Sequence, residues 1–178
     1  REVSSYPTSY IKSEGAATTR LADTCLTSSV PSLIGQTEGT LFVEMERKNM
    51  TQSMFVILSN VAGTTSNSYQ NSIYLFQNGT ANFVSDCFIS NSPQFGFIKT
   101  GGLSIGTHKI AIAYKANDFA LYIDGVQIGT DNSGSFPAMN FLTIGGGADA
   151  PGHMQSISQA LLFKTRLSNA ELATLTTL

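Results

Sequence analysis

Between Lys109 and Thr130 the chain alternates apolar and polar positions in three short runs that are separated by turn residues. A period of two is typical of strands with one buried face. Asp124 and Gly125 separate the second and third runs, and this pair favours a two-residue type I′ turn, in which both residues have positive φ. The pattern therefore predicts a three-stranded antiparallel meander.

The registers of the two predicted hairpins agree with one another. A turn at Asp124-Gly125 places Ile123 opposite Val126 and Leu121 opposite Ile128, and paired residues share a face. A four-residue loop at 115–118 brings the first run onto the same face. The large apolar side chains of that face are Ile110, Ile112, Tyr114, Phe119, Leu121, Ile123, Val126 and Ile128. Because such a sheet needs a second apolar layer, the sequence predicts a sandwich or a barrel.

Comparable runs predict further strands along the chain, at 40–48, 53–60, 72–77, 81–90, 95–99, 141–145 and 154–164. Asn78-Gly79 is a second type I′ signature and predicts a hairpin between 72–77 and 81–90. Turn-forming residues dominate 1–39, where we expect short edge strands and loops with Ile11 and Leu21 directed inward.

One helix is predicted, at the end of the chain. Ser168 and Glu171 have the spacing of a capping box, in which the serine hydroxyl accepts from the glutamate amide and the glutamate side chain accepts from the serine amide. Leu172 and Leu175 then give the helix an inward side. With no internal repeat or linker, residues 1–178 are expected to form a single domain.

Charge is sparse in this chain and argues against two classes of partner. Lys and Arg number 10, Asp and Glu number 12, and charged residues make up 12% of 178, about half the usual share. The net charge of -2 without a basic cluster argues against nucleic acid, and no apolar run is long enough for a transmembrane helix. The chain opens at Arg1 rather than Met and without a signal peptide, so we expect either a domain of a longer protein or a processed product.

Cys25 and Cys87 leave two alternatives open. They could pair in an oxidising compartment, but their spacing indicates no metal site. Two buried free thiols are the favoured interpretation, because thiols pack well in protein cores.

Several motifs match one fold family. Ala120–Val126 resembles the "LYxDG" hairpin of concanavalin A-like, laminin-G-like jelly rolls, and Phe141–Gly146 resembles their "LxIG" strand. The tail from Ala160 to Leu172 is similar to their final strand and helix, and Thr8–Asp23 resembles the opening of such domains on phage tail and receptor-binding proteins.

The resemblance spans nearly the whole chain and implies an all-β fold: a two-sheet antiparallel jelly-roll sandwich with six or seven strands in each sheet. Its motifs specify a fold and no ligand. Members of the family bind glycans or proteins, hydrolyse glucans, or space and trimerise fibres. The resemblance therefore implies a choice between recognition, structural and enzymatic roles.

Hydrolysis would require paired carboxylates. Glu44 and Glu46 share one strand face at about 7 Å, and glycosidases place their two carboxyls roughly 5 to 10 Å apart. The family's glucanases, however, resemble E-x-D-x-x-E or E-x-D-x-E, whereas this strand offers only E-M-E, and the chain has no Trp to line sugar subsites. We interpret the pair as a solvated strand face and predict that the protein is not an enzyme. No G-x-S-x-G elbow supports a serine nucleophile near His108 or His153.

Related lectin-like domains often bind Ca²⁺ at the sandwich rim, through carboxylates and carbonyls. The candidate ligands, Asp23, Asp86, Asp118, Asp131 and Asp149, do not cluster in the sequence. Asp149 in the loop GGGADAPGHM is the best single candidate for a Ca²⁺ ligand. The alternative is that each Asp bonds its own turn backbone.

Sugar binding needs an aromatic face for the C–H surface of the ring and amides for its hydroxyls. The loop 61–71 supplies Asn67, Tyr69, Gln70 and Asn71, and the segment 91–95 adds Gln94 and Phe95. His153 lies in a Gly/Pro loop and is a further candidate. Asn in turns has an alternative explanation in backbone geometry, but its density in one half of the chain favours a ligand site.

The sequence thus predicts a non-enzymatic recognition module that binds cell-surface glycan, as the tip or C-terminal part of a phage or bacterial fibre or adhesin. We expect it at an extracellular, cell-surface or virion location, without membrane insertion, and as a homotrimer by analogy with fibre tips. The alternatives are a structural or trimerisation domain and a glycoside hydrolase that uses Glu44 and Glu46.

Overall fold

The computed structural model describes residues 25–26, 29–48, 54–61, 71–77, 81–144 and 156–178, with the backbone alone for 25, 26, 54 and 55. These residues form strands joined by short turns and end in one helix. The strands are β1 (Cys25–Leu26), β2 (Glu38–Arg47), β3 (Met54–Ser59), β4 (Ser72–Gln77), β5 (Phe83–Ile89), β6 (Ser92–Lys99), β7 (Gly106–Lys115), β8 (Asp118–Ile123), β9 (Val126–Asp131), β10 (Phe141–Ile144) and β11 (Ser156–Phe163). The helix is α1 (Asn169–Thr176).

The strands make two antiparallel sheets. In the described residues, one sheet has six strands in the order β1-β10-β3-β4-β5-β6, and the other has five in the order β11-β2-β7-β8-β9. The predicted all-β two-sheet sandwich is confirmed. Among the described residues, the first sheet has a strand count within the six or seven that the resemblance implied, and the second has one strand fewer.

The core lies between the sheets. Leu58 and Leu75 from the six-stranded sheet, and Ile112 and Leu121 from the five-stranded sheet, are completely buried in a single apolar cluster. Apolar burial of this kind contributes most of the stability of a small domain, at about 25 cal/mol per Å².

The predicted meander is confirmed at its turns and in most of its register. Asp124 and Gly125 have φ of 52° and 80°, as a type I′ turn requires, and Ile123 pairs with Val126. Two details of the shared apolar face are wrong. Leu121 pairs with Gly129 because a bulge displaces Ile128, and Val126 is 61% exposed because β9 is the last strand of its sheet.

The outer face of the five-stranded sheet is also apolar, because α1 covers it. Phe42 and Tyr122 from the sheet pack in one cluster with Leu172 of the helix, and Leu175 lies at its edge. The predicted capping box is present, with the Ser168 amide donating to Glu171 Oε2 at 2.7 Å. None of the helical residues in the described ranges forms a span long and apolar enough to cross a bilayer.

The two cysteines are not bonded to each other. β10, β3 and β4 lie between the strands that carry Cys25 and Cys87, which separates their backbones by about 19 Å, whereas a disulfide needs less than about 7 Å. Cys87 is a buried free thiol, and its pKa is raised to about 12 by burial and secondarily by the charge of Asp86. This thiol therefore stays protonated and unreactive.

Tyr114 ties the sheet to the chain segment that precedes β2. Its buried hydroxyl donates to the Gly35 carbonyl at 3.2 Å, and burial raises its pKa, so it remains a neutral donor. Tyr114→Phe leaves that carbonyl without its donor, so we expect the free energy of unfolding to fall by about 1–2 kcal/mol in urea titrations.

Tyr122→Phe is the matched control. The Tyr122 hydroxyl donates to Gln127, an exposed residue, and water can replace this partner. We expect a smaller loss from this variant than from Tyr114→Phe. Equal losses would contradict the role given to the Tyr114 hydroxyl.

Candidate functional site

The sequence-predicted sugar ligands fall into two groups in the structure. Asn67, Tyr69, Gln70 and His153, together with the proposed metal ligand Asp149, lie outside the described residues. Asn71, Gln94 and Phe95 lie within them, around the same end of the six-stranded sheet.

Asn71 holds two turns together at that end of the sheet. Its backbone is left-handed, with φ of 42°, and its Oδ1 accepts from the Ser90 amide at 3.1 Å. Its carbonyl accepts from the Asn60 amide at 3.2 Å. Asn71 therefore has the backbone role in a turn that the sequence offered as the alternative. Its two hydrogen bonds also hold both ends of the loop 61–71 beside the turn between β5 and β6.

Gln94 is the extra residue of a β-bulge. Cys87 pairs with Phe95 and Phe88 pairs with Pro93, so Gln94 has no partner on β5. Its Oε1 accepts from the amide and the hydroxyl of Ser135, both at 3.2 Å. A bulge can redirect a side chain in this way, and here it ties the loop after β9 to the sheet edge.

Phe95 cannot take the ligand role that the sequence suggested. Its side chain is 4% exposed and lies in the core between the sheets, with ring centroids 5.1 Å from Phe97 and 4.6 Å from Phe119. The bulge at Gln94 is the physical reason, because it sets the register that directs Phe95 inward.

The outer face of the six-stranded sheet carries a different set of side chains, in rows that run across the strands. One row is Thr143, Ile57, Tyr74, Asp86 and Gly96; its neighbours are Ser72, Phe88 and Pro93 on one side and Phe76, Val84 and Ile98 on the other. We call this surface the aromatic face. Its rows combine parallel aromatic rings, a carboxylate and small residues.

The aromatic face centres on a ring pair beside a carboxylate. Tyr74 and Phe88 have ring planes within 6° of parallel and centroids 6.1 Å apart, an offset arrangement that aromatic pairs favour. The Tyr74 hydroxyl donates to Asp86 Oδ2 at 2.7 Å. Phe88 and Asp86 are half-buried, so both take part in the surface, whereas Tyr74 is 8% exposed and forms a buried cluster with Ile57 beneath it.

Burial sets the electrostatics of Asp86. Partial desolvation raises the pKa of its carboxyl above the ordinary value, and the hydrogen bond from Tyr74 opposes this change. The raised pKa means that the ionised form costs folding stability at neutral pH. This cost disappears as the pH falls through the raised pKa.

The sequence did not indicate this site, because a two-residue turn at Asn78-Gly79 implies a register that differs from the observed one by an odd number of residues. A two-residue turn at Asn78-Gly79 would pair Gln77 with Thr80, whereas the structure pairs Gln77 with Phe83. An odd slip in register exchanges the two faces of a strand. The sequence pattern that could have identified the site is the alternation in β4 and β5, because it places Tyr74 and Asp86 on the same face of the sheet.

Among the described residues, Glu44 and Glu46 are not joined by a third acidic side chain that would complete a hydrolytic site. Glu46 is exposed and lies 3.9 Å from Lys48, and Glu44 lies opposite Lys109 in the sheet.

In the part of the chain that the structure describes, no three His, Cys, Asp or Glu side chains come together in a group that could hold a metal ion. Of the other Asp candidates for Ca²⁺, Asp131 accepts from the Ser133 amide at 2.8 Å and Asp118 pairs with Arg166 at 2.9 Å, while Asp23 lies outside the described residues.

A serine, a histidine and an aspartate do meet elsewhere, at one end of the five-stranded sheet. His108 Nδ1 is 2.6 Å from Asp124 Oδ2, and its Nε2 is 3.4 Å from the Ser104 hydroxyl. However, the same Nε2 lies closer to the Ser104 carbonyl, at 2.9 Å. Both ring nitrogens therefore lie next to acceptor oxygens, and Nε2 is directed at the Ser104 carbonyl more closely than at the hydroxyl. The arrangement ties the 100–105 segment to the β8–β9 turn.

The structural role of His108 gives a measurable expectation. His108→Ala removes the partners of two acceptors at a buried position, so we expect a loss of about 1–3 kcal/mol of unfolding free energy. Ser104→Ala keeps the carbonyl and should stay within about 0.5 kcal/mol of the parent in the same urea titration. Ester hydrolysis that disappears in Ser104→Ala would contradict this assignment.

No protein-family model matches the chain, and no curated protein sequence matches it. Solved structures do match its fold. The CBM40 domain of the Ruminococcus gnavus IT-sialidase bound to α2,3-sialyllactose is 13% identical with a TM-score of 0.61, over 81% of this chain and 84% of that domain. A heptameric SAP-like pentraxin from Limulus polyphemus is 14% identical with a TM-score of 0.51, over 77% and 68%.

Larger sialidases match over a part of their length. The leech intramolecular trans-sialidase is 14% identical with a TM-score of 0.58, and the match covers 80% of this chain but 23% of that enzyme. At these identities the likeness shows the fold alone. The chain has the two-sheet antiparallel jelly-roll fold that these domains share.

Proposed function

We propose that this chain is a non-enzymatic glycan-recognition module and that the aromatic face is its binding surface. The observation that carries the proposal is the half-buried Phe88 ring, which stacks on the buried Tyr74 beside the half-buried Asp86 carboxylate on the outer face of the six-stranded sheet. An aromatic ring offers an apolar plane to the C–H surface of a sugar, and a carboxylate accepts from its hydroxyls. The sialyllactose bound to the R. gnavus domain supports a saccharide ligand on this fold.

The loop 61–71 would complete the binding surface with amides. Asn71 fixes one end of this loop next to Ser90, which lies two residues after Phe88 in the chain. Asn67, Tyr69 and Gln70 belong to the same loop, so we propose that they contact the sugar from this side. His153 and Asp149 are proposed as contacts from the loop that follows β10, with Asp149 as a Ca²⁺ ligand.

We further propose that residues 1–178 are one domain of a phage or bacterial fibre or adhesin, at an extracellular, cell-surface or virion location. Few charges and many Ser, Thr and Asn suit weak glycan contacts that become strong through several copies. A homotrimer would supply those copies.

One observation favours a structural role as the second candidate. Ile98 on the aromatic face is 59% exposed beside Val84, which is a surface that a sister chain could cover. Light scattering on the purified chain separates the two roles. A trimer that Ile98→Asp converts to a monomer would place the subunit contact on the aromatic face.

A glycan array with the purified chain, run with and without Ca²⁺, tests the proposed function directly. We expect specific binding to a group of related saccharides. An array without any binder, in either condition and with a folded chain, would overturn the proposal.

A further inference from the structure

The described part of the aromatic face carries a negative charge and no positive one. Asp86 lies in its central row. The lysines and arginines of the described ranges belong to the five-stranded sheet or its flanks, except for Lys99 at the end of β6; they are Arg47, Lys48, Lys99, Lys109, Lys115, Lys164 and Arg166. Lys99 pairs with the buried Phe83, and its ammonium donates to the Gly102 carbonyl at 2.5 Å.

The Asp86 carboxylate is presented as a hydrogen-bond acceptor. Within the described ranges, the donor that it meets is the Tyr74 hydroxyl, on Oδ2. Its Oδ1 points to β6, where the exposed Gly96 lies opposite. A Cβ atom at Gly96 would come 2.9 Å from Oδ1, so any other residue at this position would occupy the space beside the oxygen. Glycine therefore leaves the space beside Oδ1 free of a side chain from position 96.

We infer that the aromatic face selects neutral, hydroxyl-rich sugars and discriminates against acidic ones such as sialic acid. The inference rests on the proposed function and narrows its ligand class. A sugar hydroxyl donates to Oδ1, whereas the carboxylate of an acidic sugar would meet a like charge in a partly desolvated surface. Among the described residues of this face, no guanidinium or ammonium is placed to pair with an acidic ligand.

This ligand class differs from that of the R. gnavus domain, whose structure holds sialyllactose. At 13% identity, the two chains share a fold and need not share a ligand. The difference makes the inference testable, because a site of the same specificity would give the opposite result.

The experiment uses an array of neutral oligosaccharides and the same oligosaccharides capped with sialic acid, followed by calorimetry on the best pair. The wild-type chain should bind the neutral member at least tenfold more tightly. Asp86→Asn should weaken binding of the neutral sugar by about tenfold and reduce the preference over the capped sugar. Glu46→Gln removes the same charge on the other sheet and should change neither affinity.

The unfolding temperature of Asp86→Asn shows whether a loss of binding could come from a loss of folding. An asparagine at 86 can still accept from Tyr74 and removes a carboxylate whose ionised form is disfavoured by burial, so Asp86→Asn should unfold at the same temperature as the parent or higher. Equal or tighter binding of the capped sugar, or unchanged affinities in Asp86→Asn, would overturn the inference and leave the proposed function intact. A chain that binds neither class would overturn both.

Discussion

Leu121→Ala is expected to lower the free energy of unfolding by about 2–5 kcal/mol, the usual cost of truncating a fully buried leucine. Leu121 lies on β8, is completely buried, and contributes to the core between the two sheets. The loss combines the apolar surface that is removed from the core with the cavity that remains. Urea unfolding with a common m value for both proteins measures it.

Val126→Ala is the control for this prediction, because the same hairpin carries both residues. Val126 is 61% exposed, so its truncation should change stability by less than about 0.5 kcal/mol. Two variants with similar small losses would show that the meander has no opposing apolar layer. That result would contradict the sandwich.

Phe88→Leu is expected to weaken glycan binding by tenfold or more, equivalent to about 1.4 kcal/mol. Leucine keeps much of the apolar volume at this half-buried position but removes the flat ring that lies parallel to Tyr74. Residues at the centre of a binding surface, aromatic ones above all, often supply losses of this size. Calorimetry with a saccharide from the array measures the change.

Phe163→Leu is the matched control for binding. Phe163 is also half-buried, but it lies on β11 and packs in the cluster under α1, on the other sheet. Its replacement should leave the affinity unchanged, even where it lowers stability. If Phe163→Leu and Phe88→Leu weaken binding equally, the ring at Phe88 is not the contact surface.

The sequence predicted the fold well because two independent constraints coincide in the meander. The alternation assigns each residue of β7 and β8 to a face, and the turn at Asp124-Gly125 fixes the pairing. The capping box at Ser168 likewise marks the start of α1 by local chemistry alone.

The candidate site was less predictable, since it depends on registers that the side-chain pattern does not fix. The connection between β4 and β5 spans five residues, 78–82, although Asn78-Gly79 indicates a two-residue turn. The bulge at Gln94 then directs Phe95 into the core. Bulges and longer turns change which residues share a face without changing the composition of the strands, so Tyr74, Asp86 and Phe88 were identified only from the folded sheet.

Amide chemical-shift mapping with a saccharide from the array tests the central claim most directly. The account predicts that the largest changes fall on the described strands of the aromatic face, at Tyr74, Asp86, Phe88 and Gly96, while the amides around His108 stay unchanged. Changes concentrated on the five-stranded sheet or around Ser104, with β4, β5 and β6 unaffected, would contradict it.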